Sequence, residues 1–145
     1  MKLIHGSCLC ENVQFNVIAG SLNVYQCHCS VCRKVSGSSS SAAFFVKKES
    51  LTWVSGRELI SVFKRESGYS SHFCTTCGSP VPHEFMEQYY WVPAGLLDAA
   101  AGQIAVHLHL GSKAHWEPVP NGGVQFAEAP ELNELMQMVV CDANT

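Results

Sequence analysis

The sequence predicts a single, mainly β domain that ends in one helix. Three observations support this prediction: the chain has the length of one domain, short segments rich in aromatic and β-branched residues recur along it, and a helical period stands near its end. A chain of 145 residues can bury about two-thirds of the surface that its unfolded form exposes. We therefore expect residues 1–145 to form one domain around a core of its own.

The predicted strands are short and are separated by turn-forming residues. Residues 13–17 (VQFNV) alternate apolar and polar side chains, as a half-buried strand does, and residues 104–110 (IAVHLHL) repeat the pattern. Glycines at positions 56, 68 and 78 stand between further segments of high β-propensity. These segments are SAAFFV, LTWV, LISVFK, YSSHF and YYWV. The pattern favours antiparallel β-structure.

The segment PELNELMQMVV has the period of an amphipathic helix. Leu132, Leu135, Met136 and Val139 follow the i, i+3, i+4, i+7 spacing of an apolar stripe. Pro130 suits the first turn of such a helix. We expect a C-terminal helix whose stripe faces the core.

Composition and charge exclude several classes of partner. Hydrophobic residues make up 47% of the chain and charged residues 14%, so disorder is not expected. A formal net charge of -3 gives no general attraction to nucleic acids or anionic membranes. The N-terminus has no apolar run of signal-peptide length, and no window approaches 18 apolar residues. We expect a cytoplasmic protein without nucleic-acid or membrane partners.

Seven of the eight cysteines fall into three short groups. A reducing compartment opposes disulfides, so clustered cysteines there are expected to be metal ligands or catalytic thiols. In a secreted protein the even count would suit four disulfides, but cysteines in a CxC pair bond each other only under strain. The groups are Cys8 with Cys10, Cys27 with Cys29 and Cys32, and Cys74 with Cys77, while Cys141 stands alone.

The spacing within the groups predicts two metal sites of different kinds. A CxC pair in extended backbone presents two sulfurs on one face, and a CxxC pair converges through a tight turn. Joining Cys8 and Cys10 to Cys74 and Cys77 would give a closed, structural four-thiolate zinc site. The remaining CxCxxC offers only three ligands, and an ion with one open position is typical of catalysis.

Two alternatives divide the ligands differently. Cys29 and Cys32 could join Cys74 and Cys77 in a ribbon-like site, leaving Cys8, Cys10 and Cys27 for the other ion. The 41 residues between Cys32 and Cys74 exceed the roughly 15–20 that separate the paired knuckles of a ribbon. Alternatively, a histidine could supply a fourth ligand to the triplet and make both sites structural. The candidates are His28, His83 and His115.

Four motifs resemble the glutathione-dependent formaldehyde-activating enzymes and their relatives with the centromere protein V domain. These are GSCLCENVQF, CHCSVCRKVSGS, FCTTCGSP and SKAHW, and the resemblance extends over residues 6–126. It implies a zinc-carrying β-tent fold. It also implies a structural zinc on Cys8, Cys10, Cys74 and Cys77, and a catalytic zinc on Cys27, Cys29 and Cys32. His115 departs from the family, which usually has proline at this position of the SKAHW motif.

The resemblance implies a carbon-sulfur lyase reaction run in reverse, in which the thiol of glutathione adds to formaldehyde to give S-(hydroxymethyl)glutathione. A zinc ion on three thiolates is a poor generator of hydroxide but can bind another sulfur as thiolate. The two carboxylates of glutathione need cationic partners, and Arg33 and Lys34 beside the triplet are the candidates. The alternative function is a non-catalytic, zinc-stabilised module that binds another protein. The fourth ligand of the triplet zinc distinguishes these hypotheses.

Overall fold

The computed structural model describes residues 1–98 and 100–141. Across these residues the chain forms eleven strands and two α-helices. The strands are β1 (Lys2–Ser7), β2 (Gln14–Ala19), β3 (Leu22–Cys27), β4 (Ser41–Lys47), β5 (Leu51–Ser55), β6 (Ile60–Lys64), β7 (Ser70–Cys74), β8 (His83–Phe85), β9 (Tyr89–Pro93), β10 (Gly102–Leu108) and β11 (Val124–Gln125). The helices are α1 (Ser30–Ser36) and α2 (Leu132–Val139). The mainly β prediction with a C-terminal helix is confirmed.

The strands form three sheets. The largest has six strands in the order β11-β10-β3-β4-β9-β8, and the others are β1-β2-β5 and the pair β6-β7. Most neighbouring strands are antiparallel, as the turn-rich sequence predicts. However, β10 runs parallel to both β3 and β11, which the sequence analysis did not anticipate. Parallel pairing needs a long crossover, and about half of the chain, including β4 to β9, lies between β3 and β10.

The six-stranded sheet separates two parts of the core. Residues that pair directly across strands point to the same face, so Phe45 and its partner Trp91 lie on one face and Phe44 with Val92 on the other. Phe45 packs with Cys27 and the residues of α2. Phe44 and Val92 belong to a second cluster with the three-stranded sheet. The triplet of cysteines therefore lies on the α2 side of this sheet.

Helix α2 carries the predicted apolar stripe with one exception. Leu135, Met136 and Val139 are buried, whereas Leu132 is 43% exposed because it lies in the first turn, at the edge of the contact. Pro130 precedes the N-cap residue Glu131 and so lies outside the first turn. The helix contacts β3, β4 and β10 and covers the sheet beside the triplet.

Helix α1 was missed by the sequence analysis. It has only seven residues, none of them buried, so it shows no apolar period from which it could be predicted. Its two ends are defined by capping residues instead. Cys29 is the N-cap, and its sulfur accepts the N–H of Cys32 at 3.4 Å. Gly37 ends the helix in the left-handed conformation. The SGSSSS stretch of residues 36–41 spans this helix end and the start of β4.

The described residues contain no helix that is both long and apolar enough to span a bilayer.

Candidate metal centres

Four cysteine sulfurs from distant parts of the chain converge at one end of the domain. Cys8 and Cys10 lie in the turn after β1, Cys74 ends β7, and Cys77 lies in the turn that follows. All four sulfurs lie within 4.8 Å of one another. The first pair reaches this arrangement through a turn, closed by a bond from the Glu11 N–H to the Cys8 carbonyl, and not through the extended strand that its spacing suggested. A turn therefore brings the two sulfurs of the CxC pair together, which the sequence analysis expected only for the CxxC pair.

The distances within this group fit a tetrahedral ion. Sulfurs about 2.3 Å from a central zinc lie about 3.8 Å from each other. The Cys8 and Cys10 sulfurs are 3.6 Å apart, and those of Cys10 and Cys74 are 3.8 Å apart. Four thiols at this separation form a donor set suited to zinc.

Hydrogen bonds favour ionised sulfur in part of the four-cysteine group. Ser79 accepts the N–H of Leu9 at 3.0 Å, and its hydroxyl bonds the Cys77 sulfur at 3.4 Å. This bond and backbone N–H groups lower the pKa of Cys77 to about 5. At Cys10 a backbone bond from Asn12 favours the thiolate, but desolvation and the neighbouring sulfurs raise its pKa to about 12. The pKa values of Cys10 and Cys77 therefore shift in opposite directions, and thiolates this close together repel each other.

The second group consists of Cys27, Cys29 and Cys32, whose sulfurs also lie within 4.8 Å of one another. Cys27 ends β3, Cys29 caps α1, and Cys32 lies inside that helix. Cys27 is buried, and the other two are half-buried. In residues 1–98 and 100–141, no histidine nitrogen or carboxylate oxygen joins these sulfurs within the same distance. The structure thus brings together three donors here.

The pKa values of Cys27 and Cys32 shift in opposite directions. A hydrogen bond from Cys32, with help from the backbone of Cys29, lowers the pKa of Cys27 to about 6 despite burial. The same bond and burial raise the pKa of Cys32 far above its ordinary value. Of these two thiols Cys27 is therefore the more readily ionised, and a metal that binds both sulfurs must displace the proton of Cys32.

The three histidines considered as further ligands lie elsewhere. His28 is buried, and its Nε2 lies 3.1 Å from Nδ1 of His107, which pairs with Gln26 of β3 and so faces away from Cys27. His83 stacks between His72 and Trp91, with ring centroids 4.3 and 5.0 Å away. His115 is exposed and lines a pocket beside α1. The grouping that joins Cys29 and Cys32 to Cys74 and Cys77 is likewise not found among the described residues.

Arg33 and Lys34 lie in different pockets, because consecutive helical residues point about 100° apart. Arg33 lines a pocket of about 400 Å³ together with Lys113, His115 and Trp116. Its Nε is buried without a hydrogen-bond partner among the described residues. Trp116 is 71% exposed here. This pocket therefore offers cations and an aromatic surface next to the triplet.

Lys34 lines a second pocket, of about 390 Å³, on another side of α1. Phe63, Arg65 and Tyr69 lie around it. Burial raises the pKa of Tyr69, and the thiols of Cys32, Cys29 and Cys27 raise it further, so its hydroxyl lies close to the triplet. The two pockets flank the short helix that carries Cys32.

Tyr25 is a further neighbour of the triplet that the sequence analysis missed. Its hydroxyl accepts the indole N–H of Trp91 at 2.6 Å, and its ring stacks on Phe45 with centroids 5.8 Å apart. The signal was present in the sequence, because residues two apart in a strand share a face and Tyr25 precedes Cys27 by two. Trp91 could not be found in this way, since only the folded sheet brings it to Tyr25.

Comparison with known proteins places these motifs in one family. Residues 3–112 match the family described as "Glutathione-dependent formaldehyde-activating enzyme". A Halomonas elongata protein named "Putative glutathione-dependent formaldehyde-activating enzyme" is 34% identical over 83 residues, which are 53% of either chain. The aligned part thus spans about half the length of that relative. A crystal structure of a Rhodobacter sphaeroides protein, 22% identical, covers 68% of this chain and 99% of its own with a TM-score of 0.54, a likeness of fold alone. Because the family match extends over most of its length, the chain belongs to the glutathione-dependent formaldehyde-activating enzyme family.

Proposed function

We propose that the protein joins the thiol of glutathione, or of a related compound, to formaldehyde at Cys27, Cys29 and Cys32, in a reversible carbon-sulfur lyase reaction. One observation carries this proposal: three sulfurs converge with no fourth donor of the described chain beside them, next to a cationic pocket. The family match and the name of the Halomonas elongata relative support the choice of substrates.

Two zinc ions complete the proposal. Cys8, Cys10, Cys74 and Cys77 would hold a structural ion in a β-tent fold, and the triplet would hold a catalytic one. When bound, the catalytic ion would supply a centre of low net charge that accepts another sulfur and favours its deprotonated form. The donor chemistry fits, since both sets consist of sulfur alone.

The chain's own cations would hold the peptide. Glutathione carries two carboxylates, and the buried Nε of Arg33, which has no hydrogen-bond partner among the described residues, is a donor in need of an acceptor. Lys113 lines the same pocket, while Lys34 and Arg65 line the one across α1. A thiol peptide bound along α1 could therefore reach cations on either side of the triplet.

Little activation of the aldehyde is required. The sulfur lone pair forms the C–S bond, the C=O π electrons move to oxygen, and the oxygen takes up one proton in place of the proton that left the thiol. Formaldehyde is a strong electrophile, so catalysis consists of forming the thiolate and positioning two reactants. The proposed location is the cytoplasm, where glutathione is the abundant thiol and free cysteines persist.

Metal analysis combined with ligand exchange tests the proposal. We expect two zinc ions per chain, and X-ray absorption at the zinc edge should show one site of four sulfurs and one of three sulfurs that gains a sulfur when glutathione is added. NMR exchange spectroscopy with ¹³C-formaldehyde should show faster formation of S-(hydroxymethyl)glutathione. Two sites that both have four protein ligands, or a rate equal to that without protein, would refute the catalytic proposal.

Matched substitutions separate the two pockets. Arg33→Gln should weaken glutathione binding at least about tenfold, because a charge-assisted bond to a carboxylate is lost. Lys34→Gln, in the other pocket, should have the same effect if the second carboxylate lies there. If neither substitution changes the affinity, these residues are solvated surface charges and their proposed role is wrong.

A further inference from the structure

We propose that Tyr25 is an additional catalytic residue of the triplet site, whose hydroxyl donates a hydrogen bond to the aldehyde oxygen as the C–S bond forms. This inference rests on the proposed function and adds to it a group that stabilises the developing charge. It follows from the juxtaposition of Tyr25, its partner Trp91 and the cysteine triplet on one face of the six-stranded sheet.

Tyr25 and Cys27 share that face. Both belong to β3, where they pair with Ala43 and Ser41 of β4 without a change of register. Residues two apart in a strand lie about 6.7 Å apart along it and point the same way. The Tyr25 side chain therefore lies on the same side of the sheet as the sulfur of Cys27, and both belong to one apolar cluster with Cys29 and Cys32.

Two contacts hold the Tyr25 side chain in place. Its ring is nearly parallel to that of Phe45, with an interplanar angle of 10°. The indole N–H of Trp91 can only donate, so at 2.6 Å it makes the Tyr25 oxygen an acceptor. The hydroxyl hydrogen is then free to donate elsewhere, and no hydrogen bond donated by this hydroxyl is found in the described part of the chain. A held hydroxyl whose hydrogen has no acceptor among these residues is suited to bind a ligand.

Tyrosine is protonated at neutral pH, since its ordinary pKa is about 10. The Tyr25 hydroxyl can therefore donate a hydrogen bond, as a group that stabilises an oxyanion must.

The chemistry requires such a donor. While sulfur attacks the carbon, the C=O π electrons move to oxygen and leave an alkoxide until that oxygen takes up a proton. A neutral donor in a partly desolvated site stabilises this charge without undergoing any net change itself. Loss of one such donor typically costs about 10²–10³ in kcat. Tyr25 would thus contribute to the addition step and not to the binding of glutathione.

A second pair of the same kind provides a matched control. On the other face of the sheet, the indole N–H of Trp53 donates to the hydroxyl of Tyr90 at 3.2 Å. Tyr90 is buried in the cluster that contains Phe44, away from the triplet. Substitution of either tyrosine by phenylalanine removes one hydroxyl and leaves one indole N–H unpaired. Only Tyr25→Phe removes a hydroxyl beside the cysteines.

The first measurement compares the two variants with the parent protein for zinc content, melting temperature, glutathione affinity and the rate of adduct formation. We expect Tyr25→Phe to lower kcat about 100-fold, with zinc content unchanged and glutathione affinity within about twofold. Tyr90→Phe should retain the parental rate. Trp91→Phe keeps the hydroxyl but loses the group that orients it, and should lower kcat about tenfold. Parental kcat in Tyr25→Phe, or an equal loss in Tyr90→Phe, would overturn the inference.

A second measurement does not depend on turnover. S-(hydroxymethyl)glutathione, maintained by excess formaldehyde, carries the oxygen that Tyr25 is proposed to contact, whereas S-methylglutathione lacks it. Calorimetry should show that Tyr25→Phe weakens the binding of S-(hydroxymethyl)glutathione about tenfold and leaves the affinity for S-methylglutathione unchanged. If the parent protein shows no catalysis, the proposed function fails, and this comparison still tests Tyr25 separately. Equal loss for both ligands, or loss for neither, would refute the role of the hydroxyl.

Discussion

Both candidate metal sites consist of cysteines alone, but the two groups connect very different lengths of the chain. In the four-cysteine group, Cys10 and Cys74 approach to 3.8 Å although 64 positions separate them. The triplet lies within six consecutive residues, from the end of β3 into α1. An ion in the first group would link distant segments and stabilise the folded state. One in the second would constrain only a local turn, so its removal should cost activity more than stability.

The burial of the two groups differs less than their connectivity. Cys8 and Cys74 are buried, and Cys10 and Cys77 are half-buried. In the triplet one cysteine is buried and two are half-buried, and residues adjacent to them in sequence line two pockets. The number of sulfurs and the length of chain that they connect therefore distinguish the two groups more clearly than burial does.

The largest expected effect comes from Cys77→Ser. It removes one of four ligands from the group that connects β1 to β7, so one zinc should be lost and the melting temperature should fall by more than about 10 °C. Cys29→Ser is the control in the triplet: it should lose the other zinc and the activity, with a circular dichroism spectrum like that of the parent. Metal analysis and thermal melts check both. If Cys77→Ser keeps its metal and melts with the parent, the assignment of the two groups is reversed or wrong.

The backbone near each group offers a second comparison. Gly56 has φ of 78°, and a Cβ there would lie 2.0 Å from the carbonyl oxygen of Asn12, in the loop behind the four-cysteine group. Gly37 has φ of 63° at the end of α1, with no atom within 4 Å of such a Cβ. Gly56→Ala should therefore cost about 3 kcal/mol or more, and Gly37→Ala only about 1 kcal/mol. Urea unfolding measures both free energies, and equal costs would show that the Asn12 loop moves aside easily.

Cys141→Ala tests whether a cysteine outside both groups behaves as a packing residue. Cys141 is fully buried among the residues of the second core cluster, and its sulfur accepts the N–H of Asn23 at 3.2 Å. The variant should keep both zinc ions and lose about 1–2 kcal/mol of unfolding free energy from the smaller side chain. Loss of zinc would mean that the two groups do not account for all of the metal ligands.

The smallest effect concerns acid stability on the face of β3 opposite to the triplet. Burial lowers the pKa of His107 and of His28, its hydrogen-bonded neighbour. The unfolded chain then binds protons more readily than the folded one, so stability is complete above the ordinary histidine pKa of about 6.5 and falls as the pH decreases below it. In the His107→Gln variant this position cannot titrate. The variant should therefore lose less unfolding free energy than the parent protein between pH 7.5 and 5.5, at constant total zinc. Equal losses in the parent and the variant would exclude His107 as a source of the acid sensitivity.

Local patterns explain what could be predicted. Alternation and turn residues identified most strands, and the period of residues 132–139 identified α2, because each signal lies within a few neighbouring positions. Helix α1 was missed because none of its seven residues is buried, so it has no apolar period, and its caps define it instead. The separation of Arg33 from Lys34 was missed for the same reason, since it depends on recognising that helix.

Local spacing was enough to recognise each cysteine motif, because the geometry of CxC, CxxC and CxCxxC depends on only a few bonds, but it left open how the motifs combine. The folded chain shows that the CxC pair after β1 meets the CxxC pair at the end of β7, that no histidine of the described residues joins the triplet, and that Trp91 contacts Tyr25. It also decided that β10 runs parallel to β3. These outcomes depend on the packing of segments that lie far apart in the sequence. The free energy of the folded chain as a whole selects this packing, and no local spacing encodes it.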